Sequence, residues 1–341
     1  MSAMFCHGFD ESTTTAHYFT TSSSVTISSA NPRTGANAAR VASTGSVVLP
    51  SALEHATFIT GVGLYVPASA SAAVQFTGDA DATVHVTVSV RSDGSIDVRR
   101  GTASGTVLGT ASAGTFPTGA YKHLGVKATL HDTTGAVTVQ VDGVSVITLT
   151  NIDTKNAGTK TVFDSIRLVS LGGNSSDFDD WYACNGAGSA NNDLLGDKKV
   201  LTVVPNGDGA TTDFTPSTGS SHFALVDEIP PNTSDYNESS TNGHVELYDM
   251  TDFPAGTQGI SFAQLELYAA KSDAGAVMKF QRACRSGGSN FFGADMVLGT
   301  GFLYITESGK KVILETDPAT AAAWTLSGIN SAQMGVKLVT P

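Results

Sequence analysis

Two short acidic runs are the residues whose types and spacing come nearest to chemistry in this sequence. Asp177-Phe178-Asp179-Asp180 and Glu246-Leu247-Tyr248-Asp249 both lie in stretches that read as β-strand. Two carboxylates about 5 Å apart on one strand face are the apparatus of retaining glycoside hydrolysis, one as acid and one as nucleophile. A strand delivering them reads roughly Glu-x-Asp-x-x-Glu. Glu246 and Asp249 are three apart, so a strand turns them to opposite faces. Asp177 and Asp179 share a face, but no Glu accompanies them. Other catalytic templates fail as well. Gly173-Asn174-Ser175-Ser176 lacks the second glycine of a nucleophile elbow. Gly158-Thr159-Lys160-Thr161 is an isolated turn rather than a phosphate loop, and no His has another His four residues away. The expectation is a protein that is not an enzyme.

Two binding chemistries stay open. Asp79 with Asp81, and Asp208 with Asp213, are acidic groups in glycine-containing loops, where carboxylates and backbone carbonyls together can hold Ca²⁺. The same residues also close turns through their own side chains, which is the expected role, so no cofactor is expected. Sugar binding needs exposed rings that stack on sugar faces. The aromatic candidates are Tyr121, Trp181, Tyr236, Phe291, Phe292 and Trp324. Trp181 lies inside a strand and is expected in the core. Tyr236 lies in the polar loop 227–241, marked by Pro230-Pro231, and is the best exposed ring. Asn290-Phe291-Phe292-Gly293 reads as a hairpin tip, where one of the two phenylalanines faces outward or an interface.

The elements that must position these groups are strands. Val84, Val86, Val88 and Val90 alternate with His85, Thr87 and Ser89, and Val137–Val141 alternates likewise, the pattern of half-buried antiparallel strands. Asp142-Gly143 between two alternating runs predicts a type I′ hairpin, and Asp132 to Gly135 closes another. Further strands are expected at 96–99, 124–130, 144–147, 200–204, 222–226, 245–248, 260–269, 277–282, 301–305, 312–314 and 335–339. A turn is expected at 206–209, and a helical turn after Asp317-Pro318. Glu, Lys, Leu and Arg for amphipathic helices are scarce: charged residues make up 15% of the chain, with Gly at 36 of 341. The fold class is therefore all-β, two β-sandwich or jelly-roll domains in series. The small polar stretch Asn185 to Asn192 marks the junction, giving a first domain over 1–185, a linker over 186–197 and a second domain over 198–341.

A net charge of −12 without a basic patch argues against a nucleic-acid partner. No apolar run approaches a membrane span, and the N-terminus has no secretory signal pattern, so membrane insertion is not expected. Cys6, Cys184 and Cys284 have no zinc spacing and are expected to be reduced thiols. If the first and last strands of the first domain pair, Cys6 and Cys184 become neighbours.

Two segments carry a resemblance. Gly8-Phe9-Asp10, the run AYKHLGVKATLHDTTGAVTVQVDGVSVI (120–147) and the closing FDDWYACN (178–185) resemble a concanavalin A-like (laminin G-like) jelly roll. The stretch 179–236 and the final ETDPATAAAWTLSGINSAQMGVKL (315–338) resemble a module that follows such jelly rolls in virion proteins of tailed bacteriophages. The resemblance implies a structural component exposed on the virion, made in the bacterial host cytoplasm. It implies a tail fibre or minor tail protein with an attachment role, or else a capsid decoration or head-fibre protein. Other virion proteins are the partners it implies; a homotrimer is expected because Thr/Ser/Gly-rich β-sandwiches often trimerise, and a host-surface glycan is a candidate ligand although this sequence lacks the aromatic-rich rim of sugar-binding relatives. It implies no catalytic residues, and a Ca²⁺ in a rim loop without assigned ligands. A glycan-binding or glycan-hydrolysing module is the alternative of another class.

Overall fold

The computed structural model describes residues 2–10, 19–21, 24–49, 54–275, 277–304 and 312–339. It is an all-β protein that divides into two compact units, residues 1–200 and 201–341.

Among its described residues the first unit carries fifteen strands: β1 (Ala3–His7), β2 (Thr20–Thr21), β3 (Val25–Ser28), β4 (Ala38–Val41), β5 (Ser46–Val48), β6 (Thr57–Tyr65), β7 (Ser71–Gly78), β8 (Thr83–Val90), β9 (Ile96–Arg100), β10 (Thr106–Ala111), β11 (Tyr121–Thr129), β12 (Gly135–Val141), β13 (Val144–Ile152), β14 (Ser165–Gly172) and β15 (Ser176–Asn185). They form two antiparallel sheets. One runs β13-β12-β11-β6-β15-β4-β3 with β1 also on β15; the other runs β10-β9-β8-β7-β14-β5-β2. The chain crosses repeatedly between them, as in a jelly roll. Phe163 packs on Phe58 of the first sheet and Phe76 of the second, with centroids 5.9 and 5.4 Å away, so the two inner faces meet in one core.

Asp142 and Gly143 both take positive φ, as a type I′ turn requires, and pair β12 with β13. β1 pairs with β15, placing Cys6 opposite Tyr182 and Cys184 opposite Ala3. Trp181 is buried. It meets Phe5 edge-on and stacks on Phe19. His85, Thr87 and Ser89 were expected on a wet face but are buried. Asn156 lies along β8, its N–H donating to His85 Nδ1 and its amide to the Val84 carbonyl, while Thr87 donates to the Gly101 carbonyl.

The second unit carries β16 (Pro205–Thr212), β17 (Thr215–Pro216), β18 (Asn237–Glu238), β19 (Val245–Met250), β20 (Ala263–Leu265), β21 (Tyr268–Ala269), β22 (Lys279–Ser286), β23 (Ser289–Phe292), β24 (Met296–Val297), β25 (Leu303–Tyr304), β26 (Val312–Leu314), β27 (Gln333–Val339) and a one-turn helix, Leu326–Asn330. β16-β19-β27-β22-β23, with β24 on β22, is one antiparallel sheet, and three two-stranded ribbons complete the unit. One sheet face contributes Cys284 to a core with Trp324, Ile329 and Ala332, on which Ala263 and Leu314 of a ribbon pack. Val245, Leu247 and Ala283 form a second cluster.

Several local expectations differ from this arrangement. Residues 206–209, read as a turn, lie within β16. Its Gly209 passes so close to β19 that a Cβ there would sit 2.5 Å from the Leu247 carbonyl oxygen. The strand expected at 200–204 is irregular, and 223–225 is a 3₁₀ turn. Asp317 closes a turn, accepting from the N–H groups of Ala319 and Ala321 through side chain and backbone, and the helix starts at Leu326 behind the Thr325 cap.

Candidate functional site

The acidic run of β15 is where sequence chemistry and structure meet. A bulge in the pairing with β6 between Asp179 and Tyr182, with Asp180 at φ +49°, interrupts strand alternation. Asp179 and Asp180 thereby both reach the loop 31–37. All three carboxylates are buried, and each of their six oxygens has a partner. Asp177 takes a fork from Arg40 (2.8 and 3.0 Å) and the Asn31 amide (2.9 Å). Asp179 accepts the backbone N–H groups of Arg33, Thr34 and Asp180. Asp180 accepts Arg33 Nη1 (2.6 Å), Thr34 Oγ1 and the Val200 N–H. Burial, with the Asp180 charge beside it, pushes Asp179 up to about 7 against the pull of its three N–H donors. Burial likewise raises Asp180, and Arg33 opposes it. Chemically this is a clamp: each carboxylate oxygen already accepts at least one hydrogen bond, most of them from the loop 31–37.

Glu246 is a second buried carboxylate. It accepts the Phe214 N–H and lies 2.9 Å from His222 Nδ1, with burial raising it. Asp249 is exposed and bonded to Gln333, so the two ends of that run face apart.

The calcium candidates are used for structure. Asp81 takes both Nε and Nη2 of Arg167 and the Thr77 hydroxyl. Asp208 accepts the Phe223 N–H, and Asp213 the Val245 N–H. Asp79, at φ +56°, receives Thr159 Oγ1 at 3.4 Å. Among the described residues no three His, Cys, Asp or Glu side chains gather as a metal site.

The aromatic candidates separate. Trp324, a candidate for glycan or interface contact, is 4% exposed and donates its Nε1–H to the Leu314 carbonyl inside the second unit's core, so its ring is packed rather than open to a sugar face. Phe291 is half-buried, while Phe292 is 40% exposed with the Lys337 ammonium 4.7 Å above its ring. Tyr236 is 38% exposed and has a ring neighbour that the sequence did not reveal. Phe302, 37% exposed, lies 6.5 Å away and stacks on Tyr268 at 5.6 Å and 23°. These three rings come from β21, the Phe302 segment and the loop before β18, so no sequence spacing links them.

No family model matches this chain, and no curated protein matches it either. Solved structures do. A galectin-like protein from Bacillus subtilis aligns at 7% identity and TM-score 0.40, over 54% of this chain and 96% of its own. A Bacillus licheniformis β-glucanase aligns at 11% identity and TM-score 0.36, over 53% and 97%. A sialidase aligns at 9% identity and TM-score 0.37, over 53% of this chain but 18% of its own length. At such identities and TM-scores these similarities carry nothing about activity.

Proposed function

We propose that this chain is a non-catalytic structural and recognition component of a tailed-phage particle, exposed on the virion as a tail fibre or minor tail protein and acting as a homotrimer with other virion proteins. The observation that carries the non-catalytic part is the commitment of every oxygen of Asp177, Asp179 and Asp180 to hydrogen bonds within the chain. The phage part rests on the sequence resemblance of 120–147, 178–236 and 315–338. A second reading, glycan recognition, is favoured by the exposed rings of Tyr236 and Phe302, since such faces stack on sugar rings.

Host-surface polysaccharide incubated with the chain tests the reading. The expected result is no release of reducing ends, with polysaccharide retained by the chain and lost in Tyr236→Ala. Reducing-end release that disappears on replacing Asp177, Asp179 or Glu246 by the amide would overturn it.

A further inference from the structure

The outer face of the β11-β6-β15 sheet has a floor without side chains. Gly61 and Gly63 of β6 and Gly125 of β11 leave a trough that three other parts of the first unit fill. A Cβ on Gly61 would lie 2.6 Å from His123 Nε2 and closer still to the Tyr182 ring. One on Gly63 would meet Arg33 Cδ at 2.5 Å, and one on Gly125 would meet Leu194 Cδ2 at 3.2 Å. His123 and Tyr182 stack in this trough, with centroids 5.8 Å apart and planes at 16°.

Residues 193–200 cross over the trough and are stitched down along their length. Asp193 pairs with Lys127 (3.0 Å), and the Leu195 N–H donates to Tyr182 Oη (3.2 Å). Arg33 holds the Asp197 carboxylate and the Lys198 carbonyl (2.9 Å), and the Val200 N–H donates to Asp180 (2.8 Å). Beneath them, His123 is fully buried, and neither ring nitrogen has a hydrogen-bond partner. A neutral imidazole tolerates that position. An imidazolium carries two N–H donors and a charge, and a glycine floor offers it no acceptor.

We propose that residues 193–200 form an acid-released strap, held on the sheet at neutral pH and freed when His123 takes up a proton. The charged and titratable groups around the imidazole divide: Asp197 and Asp142 favour its charged form, burial and Arg33 oppose it, and burial prevails. From β15 come Tyr182, whose hydroxyl takes the strap's Leu195 N–H, and Asp179 and Asp180, which hold the loop 31–37 and Val200. From the β12–β13 turn comes Asp142, whose oxygens are taken by the His123 backbone N–H and by Lys122 on His123's own strand. From loop 31–37 comes Arg33, and from the strap Asp197, which pair with each other. Burial holds His123 down to about 4. Burial shifts Asp180 upward, so acid favours its bound form, whereas the bond from Lys127 holds Asp193 below the usual carboxylate range, so acid also loosens that end of the strap, and replacing His123 separates the two contributions. A histidine at about 4 when covered and 6.5 when free weakens closure about 120-fold between pH 7 and pH 4.

Amide hydrogen exchange on the full chain at pH 7 and pH 4, corrected for intrinsic rates, tests this. Protection of the Leu195 and Val200 amides is expected to fall by about 120-fold, with β11 and β12 amides unchanged, while His123→Phe keeps strap protection at pH 4. Unchanged protection in the wild type, or equal loss in His123→Phe, would overturn the proposal. If His123→Phe does not fold, the wild-type imidazole Cε1 proton shift decides. It must titrate with the same midpoint as strap protection, and titration near 6.5 with the strap still protected would overturn the proposal.

Discussion

Gly61→Ala measures how tightly the sheet's outer face is filled. Gly61 does not need a left-handed backbone; it is required because a methyl group there would collide with two rings at once, Tyr182 and His123. Neither ring can give way easily. Tyr182 is fixed by the Leu195 N–H at its hydroxyl and by its place in β15, and His123 is enclosed between that ring and β11. Overpacking of this kind costs about 1–3 kcal/mol, and a double collision with fixed neighbours belongs near about 3. For a unit of this size each kcal/mol moves the melting point by about 2–4 °C, so the first unit should melt about 6–12 °C lower. Differential scanning calorimetry of the full chain reads this. Trp324→Ala identifies the second unit's transition, since removing that buried indole costs about 3–5 kcal/mol there and leaves the first unit unchanged. Gly299→Ala, with no atom within 4 Å of the added methyl among the described residues, is the neutral control. A Gly61→Ala shift under about 2 °C, less than 1 kcal/mol would give, would refute the reasoning.

Arg33→Ala leaves Asp180 buried without its cation and should cost the first unit about 3–5 kcal/mol, read as a lower urea midpoint at unchanged slope. Asp179 and His123 give opposite pH dependences. Asp179 sits near 7 folded against 3.8 unfolded, so its stabilising proton is present in acid and lost as pH rises through 7. His123 sits near 4 folded against 6.5 unfolded, so its contribution is complete above 6.5 and lost as pH falls toward 4. Melting scans should therefore show the first unit of Asp179→Asn gaining stability from pH 4 to 6.5, and that of His123→Phe losing it from pH 4 to 7; parallel profiles would contradict the assignment. Tyr236→Ala should change stability by no more than about 0.5 kcal/mol while reducing glycan retention, as urea melts and affinity electrophoresis will show.

What the sequence made legible was local. The Asp142-Gly143 turn, the Val84 to Val90 strand and the burial of Trp181 follow from residue types within a few positions of each other, and the structure has them. What it hid depends on contacts far along the chain. β16 reads as a turn because Asn206, Gly207 and Gly209 are turn formers, yet those glycines let it press against β19. Val84 to Val90 looked half-wet because nothing near it announces that residues around Asn156 cover its polar face. The stretch 186–197 has linker composition, but its last residues are bound to groups as distant as Arg33 and Lys127. At the candidate site, the run Asp177 to Asp180 was visible as acidic, whereas its partners Asn31, Arg33 and Arg40 lie more than 130 residues earlier. The companion of Tyr236 was hidden for the same reason: Phe302, itself stacked on Tyr268, lies beside it only through the fold.

The claim that this chain works by shape and attachment on a phage particle is tested most directly by immunogold electron microscopy of gradient-purified particles from its host's lysate. The account predicts gold on intact virions, concentrated at the tail. Gold confined to free protein, with bare particles, would contradict it.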